Sequence, residues 1–159
     1  MGPNQKETDA LQLTKRTDYA IRACMYLASS SSGQLASSSS IALQMTIPEQ
    51  FLPRVLAELS QAGIVEAQIG RNGGYRLRRS ATRISVLELV ESLEGPTRTD
   101  RCALRQQQCD ASDSCAFHPV MNQAQSALIE VLAATTLADL VATDRTARPR
   151  PTRYEGTAS

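Results

Sequence analysis

Apolar residues near the start of the chain recur at the spacing of one helix face. Ala20, Ala23, Cys24 and Leu27 stand at positions i, i+3, i+4 and i+7, and Thr14 precedes them as a side chain that can cap a helix. This pattern predicts a helix that begins near Thr14 and packs one face into a core. Since Cys24 lies on the apolar face, its simplest role is that of a small core residue.

Two further helices are predicted after a serine-rich loop. The first covers residues 36–45, and the second runs from Pro48 to about Gln61, with Gly63 as its C-terminal cap. Pro53 lacks a backbone N–H, so the second helix either starts late or bends there. The residues expected to face inward are Ile41, Ala42, Met45, Phe51, Leu52, Val55, Leu56 and Leu59.

A β-hairpin is predicted directly after these helices. Residues 64–69 and 75–79 have the pattern of strands, and residues 70–74 between them are rich in types that tolerate positive φ. Three helices followed by a two-stranded hairpin is the element order of a winged helix-turn-helix domain. The sequence therefore predicts a mostly α fold with a small β-hairpin.

The second half of the chain contains a long predicted helix with a broad apolar band. A helix capped by Ser85 ends before Gly95, and a last short helix follows Thr136. Between them, a helix is predicted from Pro119 to about Ala134. Its apolar face is broader than the apolar face of a single surface helix needs to be. We expect this helix to form the interface of a homodimer. Its apolar band consists of Val120, Met121, Ala124, Ala127, Leu128, Val131 and Leu132.

Charge is distributed unevenly along this chain of 159 residues, whose net charge is only +1. Residues 1–83 contain ten Lys/Arg and six Asp/Glu, whereas residues 84–144 contain three Arg and nine acidic residues. The basic front half is the part expected to meet a polyanion, although solvated surface charge explains the same asymmetry.

Neither a membrane span nor a secretion signal is apparent in the sequence. No apolar run approaches the roughly 18 residues that cross a bilayer. The first residues, MGPNQK, are not followed by a signal-peptide core. We therefore expect a cytoplasmic protein with no membrane partner.

Double-stranded DNA is the polyanion that a winged helix-turn-helix domain fits, because a helix can enter the major groove. On the third helix, Gln50 and Arg54 are expected to face outward, where Gln50 can pair with adenine and Arg54 with guanine or phosphate. The hairpin turn presents Arg71 and Asn72 to a neighbouring groove or to the DNA backbone. The remaining DNA-binding candidates lie at the start of the first helix and in the hairpin turn: Thr14, Lys15, Gly73 and Gly74.

Three of the four cysteines and the only histidine fall within 17 residues, as Cys102, Cys109, Cys115 and His118. Thiolates and an imidazole suit iron–sulfur clusters, zinc or copper(I). In a reducing compartment such a group indicates metal or redox chemistry rather than disulfides. The sequence therefore predicts a bound inorganic cofactor, although His118 beside a proline can also simply cap the following helix.

Residues 13–22 (LTKRTDYAIR), 70–77 (GRNGGYRL) and 84–90 (ISVLELV) occur in an order that resembles the IscR, NsrR and RirA type of bacterial regulators. The resemblance covers roughly residues 11–142. It implies a dimeric winged-helix transcription regulator, a repressor or an activator, that binds operator DNA. It also implies that an iron–sulfur cluster controls the DNA affinity in response to redox state, nitric oxide or iron.

The resemblance implies that the three clustered cysteines are cluster ligands. His118 matches a histidine that ligates a 2Fe–2S cluster in the IscR branch, and this assignment is favoured. Asp18 matches an aspartate that the NsrR branch contributes from the partner subunit to a 4Fe–4S cluster, which is the alternative. The chain departs from IscR at Ile69, where IscR has an arginine before the wing glycine, so the operator sequence cannot be inferred.

Two other functions are compatible with the same residues. Three cysteines and one histidine also satisfy a structural tetrahedral zinc ion. An enzyme with a nucleophilic cysteine needs a base and an orienting group beside the thiol, and the sequence offers no such set, so we expect no enzymatic activity. We predict a DNA-binding domain at residues 11–83, a cluster-binding loop with dimerisation helices at 84–143, and a disordered tail at 144–159.

Overall fold

Six α-helices, one short 3-10 helix (Ala81–Arg83) and one antiparallel hairpin make up the part of the chain that the computed structural model describes, which is residues 13–30, 33–97 and 115–144. The elements are α1 (Lys15–Ser29), α2 (Ser38–Met45), α3 (Leu52–Gln61), β1 (Val65–Gln68), β2 (Gly74–Leu77), α4 (Val86–Glu94), α5 (Phe117–Ala134) and α6 (Leu137–Thr143). The predicted mostly helical fold with a small hairpin is confirmed. None of the helices in these residues is long and apolar enough to cross a membrane.

Helix α1 lies at the centre of the fold and contacts α2, α3, α4, α6 and β2. Thr14 caps it, because the Thr14 hydroxyl oxygen accepts a hydrogen bond from the Thr17 N–H. The predicted apolar stripe is buried, and Cys24 within it is fully buried. Burial raises the pKa of the Cys24 thiol to about 12. Cys24 is therefore a neutral core residue, as the sequence predicted.

Helix α3 begins at Leu52 and not at the predicted Pro48. A turn precedes it, closed by a 3.0 Å hydrogen bond from the Phe51 N–H to the Pro48 carbonyl. Pro53 consequently falls in the first helical turn, where the missing N–H breaks no helical hydrogen bond. The prediction that Phe51 faces inward is wrong, because this residue precedes the helix and is 51% exposed. Gly63, with φ of 72°, follows the helix end as predicted.

The hairpin is fastened to the helices through Ala36. Strands β1 and β2 pair over their full length, which is shorter than predicted. Ala36 exchanges two backbone hydrogen bonds with Tyr75, at 3.0 and 2.8 Å. A Cβ at Gly74 would lie 2.7 Å from the Ala36 carbonyl oxygen, so only glycine permits this approach. The hairpin is therefore held at a set position beside the start of α2.

A short antiparallel bridge joins the end of the fold to the start of α4. The Val86 N–H donates to the Thr135 carbonyl at 2.9 Å, and the Leu137 N–H donates to the Ile84 carbonyl at 2.8 Å. Thr136 forms a capping box at the start of α6, which then packs on α1. Helix α5 thus lies between two elements that are both anchored in the core.

Helix α5 begins at Phe117, slightly earlier than predicted, because proline is tolerated in the first turn of a helix. It packs against α4 and buries only Gln125. The predicted apolar band is largely uncovered: Val120, Leu128 and Val131 are 59%, 43% and 61% exposed. An apolar surface of this kind is typical of a contact with another chain.

Two predicted segments fall mostly outside the described residues. The predicted tail is described only at Asp144, whose N–H donates to the Leu140 carbonyl at the end of α6. The predicted cluster-binding loop is described only at its two ends, up to Thr97 and from Cys115. The proposed domain boundaries therefore stay predictions.

Candidate nucleic-acid interface and metal-ligand segment

The start of α1, the start of α3 and the end of α4 enclose an open groove of about 680 Å³. The groove brings together three of the predicted DNA-binding residues, which the chain separates by up to 40 positions: Thr14, Lys15 and Arg54. Its lining also contains Arg16, Tyr19, Phe51, Val55 and Glu94. The groove therefore combines cationic side chains, two aromatic rings and one carboxylate.

Arg54 is a strongly exposed cation of this groove, with a side chain 80% exposed in the first turn of α3. Its Nε lies 3.3 Å from Oε1 of Glu58, one helical turn further on. Gln50 is exposed as predicted, but it lies in the turn before α3 and not on the helix itself. An exposed helix N-terminus with an arginine is a geometry that can approach base edges or phosphates.

The hairpin tip presents Arg71 and Asn72 to solvent, as predicted. Ile69 beside them is 98% exposed. The glycines of the turn serve the hairpin itself: a Cβ at Gly73 would lie 2.2 Å from the Gln68 carbonyl oxygen. These glycines therefore shape the tip that carries the two polar residues.

Two stacked rings join the first helix to the turn before α3. The rings of Tyr19 and Phe51 are 6.3 Å apart between centroids and 26° from parallel. The guanidinium of Arg22 lies 5.7 Å from the Tyr19 ring centroid and donates to the Met45 carbonyl at 3.2 Å. Arg22 also donates through Nε to Asp18 at 3.0 Å, and its Nη2 donates to the other oxygen of that carboxylate. Asp18 is thus engaged within its own subunit.

Glu94, the last residue of α4, holds the end of that helix against the start of α1. Its side chain is only 8% exposed and accepts hydrogen bonds from the hydroxyls of Thr14, at 2.5 Å, and Thr17. Burial raises the pKa of Glu94, but these hydrogen bonds and the charge of Arg16 outweigh burial and hold the pKa below its ordinary value. Glu94 is therefore a largely enclosed anion stabilised by the first turn of α1.

The predicted metal ligands are only partly within the described residues. Cys115 is exposed and carries a free thiol, and the N–H of the half-buried His118 donates to its carbonyl at 3.2 Å. The two residues therefore share one turn at the start of α5. Cys102 and Cys109 lie outside the described residues, within which no three His, Cys, Asp or Glu side chains are grouped closely enough to hold a metal ion.

The alternative in which His118 caps α5 is not what the structure shows. The residue at the N-cap position is Ala116, and no side chain caps the helix there. His118 lies inside the first helical turn, three positions after Cys115. The backbone hydrogen bond between the two residues brings them close enough in the chain for a thiolate and an imidazole to serve as ligands of one metal centre.

Several residues in the groove or paired with its side chains were not identified from the sequence. Arg16 and Glu94 are far apart in the chain, and no single-sequence pattern links them. Glu58 stands four positions after Arg54, which is the spacing of a helical ion pair and was a detectable signal. Phe51 lies outside the core, contrary to the prediction, because α3 begins after it, at Leu52.

Comparison with known proteins identifies related sequences. The sequence profile of the Rrf2 family, described as an iron-dependent transcriptional regulator, matches residues 13–143. The chain is 36% identical over 132 residues to the protein aau3 of Rhizobium meliloti, with 82% of this chain and 85% of that protein covered. It is 33% identical over 132 residues to the HTH-type transcriptional regulator NsrR of Bacillus licheniformis, with 82% and 92% covered.

Solved structures share the fold. CymR, the global cysteine regulator of B. subtilis, superposes with a TM-score of 0.73 at 25% identity, covering 84% of this chain and 98% of that one. IscR of T. potens superposes with a TM-score of 0.67 at 26% identity, covering 83% and 87%. The family, NsrR and CymR are each described as regulators.

The Glu94 contact predicts a pH-dependent loss of stability in Glu94→Gln. At pH 7 the variant should lower the free energy of unfolding by about 1–2 kcal/mol, because hydrogen bonds to a charged group are lost. Since the folded-state pKa of Glu94 is lowered, its contribution is present above the ordinary value of 4.5 and is lost as the pH falls through the lowered pKa.

Urea denaturation at pH 7 and at pH 3 measures this difference. Glu88→Gln, which removes a half-exposed partner of Arg79, is the matched control and should cost less than about 1 kcal/mol. A Glu94→Gln deficit of the same size at both pH values would contradict the account.

Proposed function

The chain belongs to the Rrf2 family of transcriptional regulators, and from this premise we propose that it binds operator DNA as a homodimer whose affinity is set by an iron–sulfur cluster. The observation that carries the proposal is the turn of Cys115 and His118 at the start of α5. This turn ends the segment that also contains Cys102 and Cys109.

DNA reading is assigned to α3 and the hairpin. Arg54 and Gln50 are exposed at the start of α3, and Lys15 lines the same groove as Arg54. Arg71 and Asn72 are exposed at the tip of a hairpin that is fastened beside α2. In this assignment α3 enters the major groove and the hairpin tip contacts the adjacent backbone or minor groove.

The ligand set fits a cluster better through His118 than through Asp18. The carboxylate of Asp18 already accepts two hydrogen bonds from Arg22, which would have to break before it could reach a partner subunit. The side chain of His118 does not cap α5, and His118 shares a turn with Cys115. We therefore assign Cys102, Cys109, Cys115 and His118 to a 2Fe–2S cluster, with Asp18 and a 4Fe–4S cluster as the alternative.

When bound, such a cluster supplies a site whose charge and ligation change on redox reaction, nitrosylation or iron loss. The contribution of the chain is to hold three thiolates and one neutral imidazole. A neutral His118 in place of a fourth thiolate leaves the site less negative, which favours the reduced form. The imidazole is also the ligand most easily lost on protonation.

Structural zinc is the second candidate, because the same four side chains can close a tetrahedral site. The family description as iron-dependent favours iron. A visible absorption spectrum separates the two, because a zinc protein is colourless.

Helix α5 is assigned to the dimer interface. Its apolar band remains largely exposed in the single chain, and within the described residues the helix packs mainly against α4. A second copy of the same helix would cover this band in a two-fold arrangement. Since α5 begins at the ligand turn, the cluster would lie close to the interface between the two DNA-binding heads.

Measurements of operator binding should distinguish the role of Arg54, which reads bases, from the role of Arg71, which contacts DNA by its charge. Arg54→Ala should reduce discrimination between sequences by about 1–3 kcal/mol, because a bidentate base contact is lost. Arg71→Ala should instead weaken binding to all sequences, more strongly at low salt. Fluorescence anisotropy with a duplex selected from random sequence tests both, with Arg83→Ala as a charge-matched control. The assignment fails if Arg54→Ala keeps the full discrimination.

The dimer should dissociate when its apolar band is charged. Leu128→Glu with Val131→Glu places two carboxylates in the proposed interface and should give a monomer at micromolar concentration in light scattering. Leu43→Glu, at a leucine that is 72% exposed on α2, is the matched control and should remain dimeric. A monomeric unmodified protein would contradict the proposal.

The cluster ligands should be distinguishable by colour. After anaerobic purification, replacement of the three clustered cysteines by alanine should abolish visible absorption, whereas Cys24→Ala should retain it, because Cys24 is buried in the core. His118→Ala should shift the spectrum or shorten the lifetime of the cluster. An unchanged His118→Ala spectrum together with a bleached Asp18→Ala protein would move the assignment to Asp18 and a 4Fe–4S cluster.

A further inference from the structure

The carboxylate of Glu58 on α3, the helix assigned to DNA reading, is shared between two arginines. Oε1 of Glu58 lies 3.3 Å from Nε of Arg54, and Oε2 lies 3.3 Å from Nη1 of Arg16 on α1. Arg54 is 80% exposed, whereas the side chains of Glu58 and Arg16 are 24% and 37% exposed. Glu58 thus stands between an exposed cation and a more enclosed one.

Arg16 is held in place by the end of α4. Its Nη2 donates to the Leu93 carbonyl and lies 3.6 Å from Oε2 of Glu94. Glu94 is itself fixed by the hydroxyls of Thr14 and Thr17. The guanidinium of Arg16 therefore bridges α4 to α3, and its position depends on where α4 ends.

We propose that Arg16 is a positioning residue for DNA reading. Because Arg16 occupies one oxygen of Glu58, Arg54 can separate from its ion pair with Glu58 and contact DNA. The inference rests on the proposed role of Arg54 in operator binding. It adds a residue that acts through another and a physical route from α4 to the reading helix.

The competition between two cations for Glu58 gives the effect its direction. An exposed i,i+4 ion pair is weak, so a shared carboxylate releases Arg54 easily. Without Arg16, the full charge of Glu58 is available to Arg54 and also faces the approaching phosphates unneutralised. Removal of Arg16 therefore lowers operator affinity, whereas neutralisation of Glu58 raises it.

Because Arg16 contacts both Leu93 and Glu94, a shift in the end of α4 would act on this competition. Gly95 ends α4 with φ of 89°, and the chain then runs towards Cys102. A change in the cysteine segment that moves the end of α4 would withdraw Arg16 from Glu58. Arg54 would then be drawn back to Glu58 without any change in α3 itself.

The test compares variants in the cluster-loaded or the cluster-free state, whichever binds the operator more tightly, with anisotropy on a duplex that the unmodified protein selects from random sequence. Arg16→Met should lower operator affinity about two- to fivefold, the size of a weak ion-pair coupling. Glu58→Gln should raise it by a similar factor. In the Glu58→Gln background, adding Arg16→Met should have no further effect, because Arg16 acts through Glu58. Arg79→Met, which breaks the pair between Arg79 and Glu88, is the matched control.

Each other outcome overturns the inference. If Arg16→Met weakens binding equally in both backgrounds, Arg16 contacts DNA directly. If Arg16→Met and Glu58→Gln change affinity in the same direction, the pair has only a structural role. Glu94→Gln provides a second variant that keeps Arg16 itself, and it should lower affinity like Arg16→Met; no change in Glu94→Gln contradicts the role of α4.

Failure of this inference is distinguishable from failure of the proposed function. If the cluster-loaded and cluster-free proteins bind the selected duplex equally, cluster control is absent, yet the opposite signs of Arg16→Met and Glu58→Gln still establish Arg16 as a positioning residue. If the cluster changes operator affinity and Glu58→Gln leaves the ratio between the affinities of the cluster-loaded and cluster-free proteins unchanged, the route through Arg16 is wrong.

Discussion

The carboxylate of Glu94 joins the end of α4 to the first turn of α1, and both candidate functional regions meet at this contact. On one side, the hydroxyls of Thr14 and Thr17 and the guanidinium of Arg16 surround it. On the other side, the chain leaves α4 at Gly95 for the cysteine segment. Because an anion this enclosed requires its partners, α4 cannot shift without disturbing the start of α1. The groove that holds Arg54 is therefore sensitive to the position of α4.

The arrangement of α5 adds a second constraint. The segments before and after it are tied together by the bridge that joins Val86 to Thr135 and Ile84 to Leu137. The helix itself packs on α4 and leaves an apolar band uncovered. In the proposed dimer, the ligand turn of Cys115 and His118 would stand at the head of the interface helix. A change in ligation would then alter the angle between two reading heads.

Helical periodicity was sufficient to predict most of the fold, because the core is formed by regular apolar stripes on α1, α3 and α4. The hairpin and the caps at Thr14, Ser85 and Thr136 were also readable as local patterns. The residues at which α3 and α5 begin were not predicted, because Pro53 and Pro119 are compatible with several positions in a first helical turn. The groove was not predicted because its ion pairs join residues that are distant in the sequence. The candidate ligand residues were proposed from their chemistry, and their spatial arrangement depends on a segment without apolar periodicity.

In the proposed mechanism, the cysteine segment controls DNA binding by α3 and the hairpin. The most direct measurement is operator affinity of the anaerobically purified, coloured protein compared with the same protein after removal of its iron, at one salt concentration. The account predicts a difference of about 5- to 150-fold, the range typical of coupling between two sites. Equal affinities for a protein that demonstrably holds and then loses an iron–sulfur cluster would contradict it.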